Sequence, residues 1–391
     1  MLDGIYYNPT IIFFGKEMES KVGGEIAKYS HKVLLHFGND SFKRYGLYDK
    51  VSASLKNAGV DWVELGGVKP NPRASLVYEG ITLCREERVD FILAVGGGSV
   101  IDSAKAISIG VPWQGDFFDF FEGIQAPQKA LKLATILTIP GSGSESNSGA
   151  VITHEERGIK KPYGHPTMAP IFSILNPEYT CTLSEYYTAC GIVDAISHVL
   201  ERYFTNTPYV DCTDRIGEGL IKTLMKYSVL VKDAPNNYDV RAEIMWACKL
   251  AHDNTAGFGR KHDWSSHSIS HELGAIYDTP HGATLGVIFP AWMKYVHKTN
   301  FKRFRQFVNR VFDIEPQLPD DEQTITQGID IFRQFLKTIG MPVTLHEMGI
   351  PDKTRFPDIA RKCVTSFQSG TIGNFVQLSP QDIINILEIA Y

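Results

Sequence analysis

Several absences narrow the class of this chain before any motif is considered. Cysteine is scarce, with six in 391 residues: Cys84, Cys181, Cys190, Cys212, Cys248 and Cys363. They are scattered, with no C-x-x-C pair and no secreted-framework spacing, which excludes a disulfide scaffold and reads as reduced thiols in a cytosolic protein. Cys212 and Cys248 read as packing residues. Long apolar runs are missing too. The run Ile11–Phe14 is four residues and follows no basic region, so it is not expected to be a signal peptide, and nothing approaches a membrane span. The expected compartment is the cytoplasm, with no membrane partner. Positive charge is not in excess: a net charge of −5 gives no electrostatic case for nucleic acid. No repeat or low-complexity segment is found.

What is present describes a soluble globular protein, 43% hydrophobic and 21% charged, too long for one ordinary core. The first 180 or so residues alternate β-rich runs with amphipathic helical stretches. Expected strands are Thr10–Phe14, Lys32–Phe37, Trp62–Leu65, Phe91–Val95, Ala134–Ile139 and Ile171–Leu175, with helices at Tyr48–Ala58 and Pro72–Glu87. That alternation predicts an α/β domain with a mostly parallel sheet over residues 1–182. From Leu183 the periodicity is helical almost throughout, so residues 183–391 are expected to form an all-α domain.

Three glycine-bearing turns follow expected strands. Phe91–Val95 runs into Gly96-Gly97-Gly98-Ser99-Val100-Ile101-Asp102, a strand-to-helix turn. Glycine permits positive φ and close ligand approach, and the helix start offers unpaired N–H groups suited to a pyrophosphate. It is neither a G-x-G-x-x-G fingerprint nor a P-loop. A plain tight turn explains it equally. The turn Gly38-Asn39-Asp40-Ser41-Phe42-Lys43-Arg44 admits two opposed readings. Asp40 suits a ribose 2′-OH, while Ser41, Lys43 and Arg44 suit a 2′-phosphate, and a solvated loop remains a third reading. Pro140–Asn147 is rich in Gly and hydroxyls, as phosphate and ribose sites are, and as ordinary loops also are.

Histidine is unevenly distributed. Of 12 in the chain, His262, His267, His271 and His281 fall within 20 residues, where an even spread would put fewer than one. His267 and His271 are four apart, on one face of a helix, and His281 sits in a TPHG turn. Asp194 and His198 are again four apart on an expected helix. Each pair alone is as well explained by packing. Together they make an Asp-His-His-His set of nitrogen and oxygen donors suited to Fe(II), Zn(II) or another borderline cation.

The motifs GGGSVIDSAKA (Gly96–Ala106), PGSGSESNSGAVIT (Pro140–Thr153), GIVDAISHVLE (Gly191–Glu201) and HSISHELGAIYDTPHG (His267–Gly282) resemble the iron-containing (group III) alcohol dehydrogenase family. The opening YYNPTIIFFGK and the segment GVKPNP match as well, and the likeness spans essentially the whole chain. Within the family it looks most like the branch of butanol dehydrogenases and NADPH-dependent aldehyde reductases. The resemblance implies a Rossmann-like dinucleotide-binding α/β domain, a helical metal-binding domain and an active site in the cleft between them. It implies metal ligands Asp194, His198, His267 and His281, with His271 beside nicotinamide and substrate. It also implies cofactor contacts from Gly97, Gly98, Ser99, Asp102, Thr138, Ser142, Asn147 and Lys160, and from the turn holding Gly38, Asn39, Asp40, Ser41 and Lys43. One departure bears on the cofactor: the NADPH-using branch has Gly-Gly-Gly-Ser where this chain has Gly38-Asn39-Asp40-Ser41. Because Ser41, Lys43 and Arg44 are retained, the reading favours NADP(H) over NAD(H).

The expected activity is hydride transfer between NAD(P)H and a short- or medium-chain alcohol or aldehyde, such as butanol and butyraldehyde. A divalent metal, Fe(II) with Zn(II) as the alternative, would act as Lewis acid on the substrate oxygen, and His271 would relay the proton. Trp264, Phe258 and Tyr277 could line an apolar pocket, or serve as core. No cluster of Lys or Arg near the metal motifs suggests a phosphorylated substrate. The rivals are a dehydroquinate-synthase-like lyase or polyol(-phosphate) dehydrogenase of the same layout, and a non-catalytic metal- or nucleotide-binding protein. A homodimer is the expected assembly.

Overall fold

The computed structural model describes residues 1–39, 41–44, 46–315, 321–365 and 369–391. It divides into two compact units: Tyr7–Thr182, and Leu183–Tyr391 together with Met1–Tyr6. The first six residues thus pack with the helical unit, where Leu2 N donates to Gly259 O at 2.7 Å.

The first unit is built on β1 (Ile11–Phe14), α1 (Val22–Ile26), β2 (Lys32–Phe37), α2 (Ser41–Arg44), α3 (Leu47–Asn57), β3 (Asp61–Leu65), α4 (Ala74–Glu86), β4 (Phe91–Gly97), α5 (Gly98–Gly110), α6 (Phe118–Phe121), β5 (Lys132–Ile139), β6 (Gly149–His154), β7 (Ile159–Gly164) and β8 (Phe172–Leu175). Six strands form one sheet in the order β1-β8-β5-β4-β2-β3, and all its pairings are parallel. Every residue of β4 is buried, which is what a strand covered on both faces requires and why it is a continuous apolar run. From β2 the chain crosses to β3 on one side, returns to β4 on the other, and continues outward to β5 and β8. The order reverses between β2 and β4, and that is where doubly wound sheets bind ligands, beyond the carboxyl ends of the strands. The antiparallel hairpin β6–β7 was not among the expected strands.

The second unit is helical: α7 (Glu185–Tyr203), α8 (Asp211–Asp233), α9 (Tyr238–His252), α10 (Ser265–Tyr277), α11 (His281–Val296), α12 (Phe301–Phe312), α13 (Asp321–Thr338), α14 (Phe356–Thr365) and α15 (Pro380–Ala390). Helix α7 is central, packed by α8, α9 and α11. It is buried continuously from Thr188 to Tyr203, so its polar side chains in that span lie in the interior.

Candidate active site

In the α/β unit the two glycine turns at β2 and β4 flank the point where the strand order reverses. Gly96, Gly97 and Gly98 are not in the left-handed region; Gly97 itself has φ −89° and ψ −172°. The requirement is space rather than positive φ. A Cβ on Gly98 would lie 2.2 Å from Ser142 Oγ, and one on Gly97 would lie 2.9 Å from Ile139 Cβ. The turn after β4 is therefore pressed against the turn after β5, with Ser99 half-buried in the first turn of α5. Thr138, half-buried, lies at the end of β5.

Under these turns sits a polar network. Lys105 Nζ, fully buried, donates to Ser144 Oγ (2.9 Å), Asn147 Oδ1 (3.0 Å) and Gly149 O (2.8 Å). Ser144 Oγ donates to Asp102 Oδ1 at 2.6 Å, and Val151 N to Asp102 Oδ2 at 2.9 Å. Burial pushes Lys105 down to about 8, opposed by Asp102, and the same burial raises Asp102. Asn147 Nδ2 donates to Gly143 O, and its Oδ1 also accepts from Gly149 N. Asp102 and Asn147 are thereby committed to shaping the turns from within. Lys160 on β7 is buried and donates to Asn71 Oδ1 at 2.8 Å.

At the β2 turn, Gly67 N donates to Gly38 O at 2.6 Å, joining the turn to the GVKPNP segment. Asn39 is exposed. Lys43 Nζ pairs with Glu64 Oε2 at 2.9 Å and stands 4.9 Å from the Phe37 ring centroid. Its charge is thus shared with a carboxylate at the end of β3. Asp40 lies outside the described residues, as do the side chains of Ser41 and Arg44.

The candidate ligands all belong to the helical unit. Asp194 and His198 lie one turn apart on α7, both buried. His267 and His271 are on α10, and His281 is the first residue of α11, its ring presented at a helix start rather than in an extended loop. Ligand atoms of Asp194, His267 and His281 lie within 4.8 Å of one another. His198 joins from the side, with Nε2 3.7 Å from Asp194 Oδ1 and its ring centroid 4.8 Å from that of His267. His281 Nε2 is 3.8 Å from the same Oδ1, and its Nδ1 is 3.0 Å from Ser270 Oγ. Gly282 makes this approach feasible: a Cβ there would sit 2.0 Å from the Cys190 carbonyl oxygen, so only glycine lets α11 start against α7.

His271 is half-buried and stacks on His281, ring centroids 5.1 Å apart, outside the three-residue group. His262 is turned away, with Nε2 on Gly257 O at 2.9 Å. Two neighbours, His252 and Glu201, were not singled out from the sequence, and Trp264 was named there only as a pocket or core aromatic. His252, at the end of α9, meets His198 edge-on at 3.8 Å. Trp264 lies 5.1 Å from His267 and 6.1 Å from His198. Glu201 Oε1 is 2.8 Å from His267 Nδ1. Glu201 could have been found, because positions 194, 198 and 201 share one helical stripe. Of the aromatic candidates, Phe258 packs on Tyr6 and Tyr277 on the helical core.

The residues fit a divalent cation. Burial, followed by the electrostatic influence of His252, His267, Arg202 and His281, holds His198 well below the ordinary imidazole range, which favours the neutral ring that can ligate a metal. His198 Nδ1 is buried without a hydrogen-bond partner. One carboxylate and three imidazoles converge here, His281 from a half-buried position, and such a nitrogen and oxygen donor set would suit a cation of Zn or Fe type.

The comparisons with known proteins agree with this layout. The model described as iron-containing alcohol dehydrogenase matches residues 9–177, and that of the Fe-containing alcohol dehydrogenase C-terminal domain matches residues 188–391. The chain is 39% identical to the probable NADH-dependent butanol dehydrogenase 1 of Bacillus subtilis, covering 98% of each chain. It is 35% identical to the NADPH-dependent aldehyde reductase YqhD of Escherichia coli, covering 91% of each. The solved NADH-dependent butanol dehydrogenase A of Thermotoga maritima superposes with a TM-score of 0.96 at 38% identity, covering 100% of this chain and 99% of that one. Fold and relatives together define an oxidoreductase that interconverts alcohols and aldehydes. The chain belongs to the iron-containing alcohol dehydrogenase family.

Proposed function

We propose that this enzyme reduces short- and medium-chain aldehydes, butyraldehyde among them, to alcohols with NADH, and runs the reverse oxidation, at a divalent metal held by Asp194, His198, His267 and His281. The observation that carries the reading is the convergence of ligand atoms from buried Asp194 and His267 and half-buried His281 within 4.8 Å, with His198 alongside. Fe(II) suits this donor set, and Zn(II) is the alternative. When bound, the metal supplies Lewis acidity toward the substrate oxygen, and the nicotinamide supplies the hydride. The protein's own part is positional. Asp194 provides the anionic charge of the centre. Ser270 orients His281 through Nδ1. His271, stacked on His281, holds the exchangeable proton on its imidazole, the side chain most often used as a general acid–base.

The cofactor proposal departs from the sequence reading, which favoured NADP(H). Lys43, the cation that would hold a 2′-phosphate, is already paired with Glu64, and a carboxylate there repels phosphate while accepting from a 2′-OH. Relatives between 37% and 40% identical bear NADH in their names, whereas the reductase at 35% bears NADPH. The remaining cofactor contacts in this proposal are Gly38, Asn39, Asp40, Ser41, Gly97, Gly98, Ser99 and Thr138, with Ser142 and Lys160. Asp102 and Asn147 act by shaping the turns.

Initial rates with butyraldehyde test the proposal directly, using metal-stripped protein reloaded with Fe(II) or Zn(II) and offered NADH or NADPH. Net nicotinamide oxidation that needs the metal and is faster with NADH supports it. No net oxidation overturns it in favour of a lyase that recycles its cofactor, and faster turnover with NADPH overturns the cofactor assignment. Among the described residues no helix is long and apolar enough to cross a membrane. A cytoplasmic homodimer completes the proposal, and light scattering tests its assembly.

A further inference from the structure

Glu201 is 1% exposed and sits on α7 one turn beyond His198 and two beyond Asp194, on the same stripe. A carboxylate at that depth costs several kcal/mol unless its oxygens are satisfied. Main-chain N–H groups at the start of α10 satisfy it. Glu201 Oε1 accepts from His267 N at 2.9 Å and faces His267 Nδ1 at 2.8 Å, and Oε2 accepts from Trp264 N at 2.7 Å. Trp264 has φ 67°, a left-handed conformation that a bulky aromatic side chain rarely adopts. Its strained N–H is thus turned onto the carboxylate. The adjacent Asp263 binds the other side of the α10 start, where its Oδ1 accepts from Asn374 N and Phe375 N, both at 2.7 Å. The neighbouring Arg202 guanidinium donates to His198 O at 2.6 Å, lies 4.9 Å from the Trp264 ring centroid, and interacts electrostatically with Glu201.

We propose that Glu201 is the positioning residue of the metal centre: it clasps the start of α10 and fixes His267 as the Nδ1–H tautomer, reserving Nε2 for the ion. Both Glu201 oxygens accept main-chain N–H groups, which favours the ionised carboxylate, and an ionised carboxylate 2.8 Å from Nδ1 can only accept, so the one ring proton of a neutral imidazole is kept on Nδ1. The same oxygen holds the His267 main-chain N–H, so ring and backbone are oriented by one group. Partners of this kind also raise ligand basicity and typically govern metal affinity by roughly 10- to 100-fold. This inference rests on the proposed role of His267 as a ligand.

The test uses the full-length protein with Glu201→Gln, which preserves volume but places an NH2 against one of the N–H donors. Metal affinity is measured by competition against a chelator with Fe(II) and with Zn(II). The His267 tautomer is read from long-range ¹H–¹⁵N spectra of metal-free protein, assigned with His267→Asn. The expected result is metal affinity weakened roughly 10- to 100-fold, with His267 shifted from pure Nδ1–H to a tautomer mixture, while far-ultraviolet circular dichroism is unchanged. Affinity within twofold of the parent, or an unchanged tautomer, overturns the proposal and leaves Glu201 as a helix cap only. Should the variant fail to fold, the unsubstituted protein still decides: an Nε2–H tautomer at His267 in the metal-free state overturns it. If the unsubstituted protein binds no metal at all, the proposed metal centre fails instead, so the two failures are distinguishable.

Discussion

His271 and His267 are one helical turn apart, yet their proposed roles diverge because of what each ring meets. His267 has Nδ1 on Glu201 and lies within the group formed with Asp194 and His281, whereas His271 stacks on His281 at the margin. Replacing Asp194 or His267 with Ala should therefore abolish bound metal and turnover together, the metal being measured by elemental analysis of dialysed protein. His271→Ala should keep the metal and lower kcat by about 10²–10⁴-fold, the range for losing a general acid–base. Metal loss in His271→Ala with retention in His281→Ala would reverse the ligand assignment. At this scale the sequence carried the i, i+4 pairs openly, since four-residue spacing on a helix is a geometric statement in itself. It could not place Lys43 against Glu64, or bring His252 onto His198, because those contacts join segments far apart in the chain.

Element packing decides how accurately those residues are held. Gly282 allows the first turn of α11 to lie on the α7 backbone beside Cys190. Gly282→Ala should push α11 away, destabilising the fold by about 1–3 kcal/mol as overpacking does, and weaken metal binding by displacing His281. Retained affinity by chelator competition would show that α11 tolerates the shift. In the α/β unit, His36 on β2 is buried, with Nδ1 2.9 Å from Leu65 O and Nε2 2.9 Å from Ser103 Oγ. Burial brings its pKa down to about 4, opposed by the Leu65 carbonyl. Between the ordinary value of 6.5 and about 4 the unfolded chain holds a proton here that the folded chain does not, so stability falls as pH drops through that window. From pH 7 to 5 the loss is about 2 kcal/mol. Urea unfolding of metal-free protein should show that extra acid sensitivity in the parent and not in His36→Gln.

The parallel strands were legible because strands covered on both faces are unbroken apolar runs. The hairpin β6–β7 was not, since Lys160, Lys161 and Pro162 interrupt any such run in β7. Helix α14 was missed as well: its ten residues FPDIARKCVT carry a proline near the start and form a short element whose apolar face is explained only by the helical core around it. The strand-to-helix turn at Gly96–Gly98 was legible as a turn, but the reason for its glycines was not. The glycines answer to Ile139 and Ser142 on a neighbouring turn, which no local pattern reveals.

For the molecule as a whole, the candidate metal ligands lie in the helical unit and the candidate dinucleotide turns in the α/β unit. A ligand that binds only the folded form raises stability by mass action, by about 2.7 kcal/mol at one hundred times Kd. Scanning calorimetry should therefore show metal raising the transition of the helical unit and NADH raising that of the α/β unit; a metal effect confined to the α/β transition would contradict the proposed centre. The change of character near Leu183 was readable from periodicity. The pairing of Met1–Tyr6 with the helical unit was not, since it depends on contacts such as Tyr6 Oη with Thr255 Oγ1 at 3.0 Å.

Helix α7 is buried along sixteen consecutive residues, Thr188 to Tyr203, within a large apolar interior of its own. A zinc finger cannot fold before its ion arrives, whereas the proposed cradle stands on a helix set by hydrocarbon packing, so folding is expected not to depend on the ion. Under the proposed assignment loading would follow folding and be governed by supply, so protein made in iron-starved cells should accumulate folded but inactive, open to later iron or to whichever competing cation is abundant.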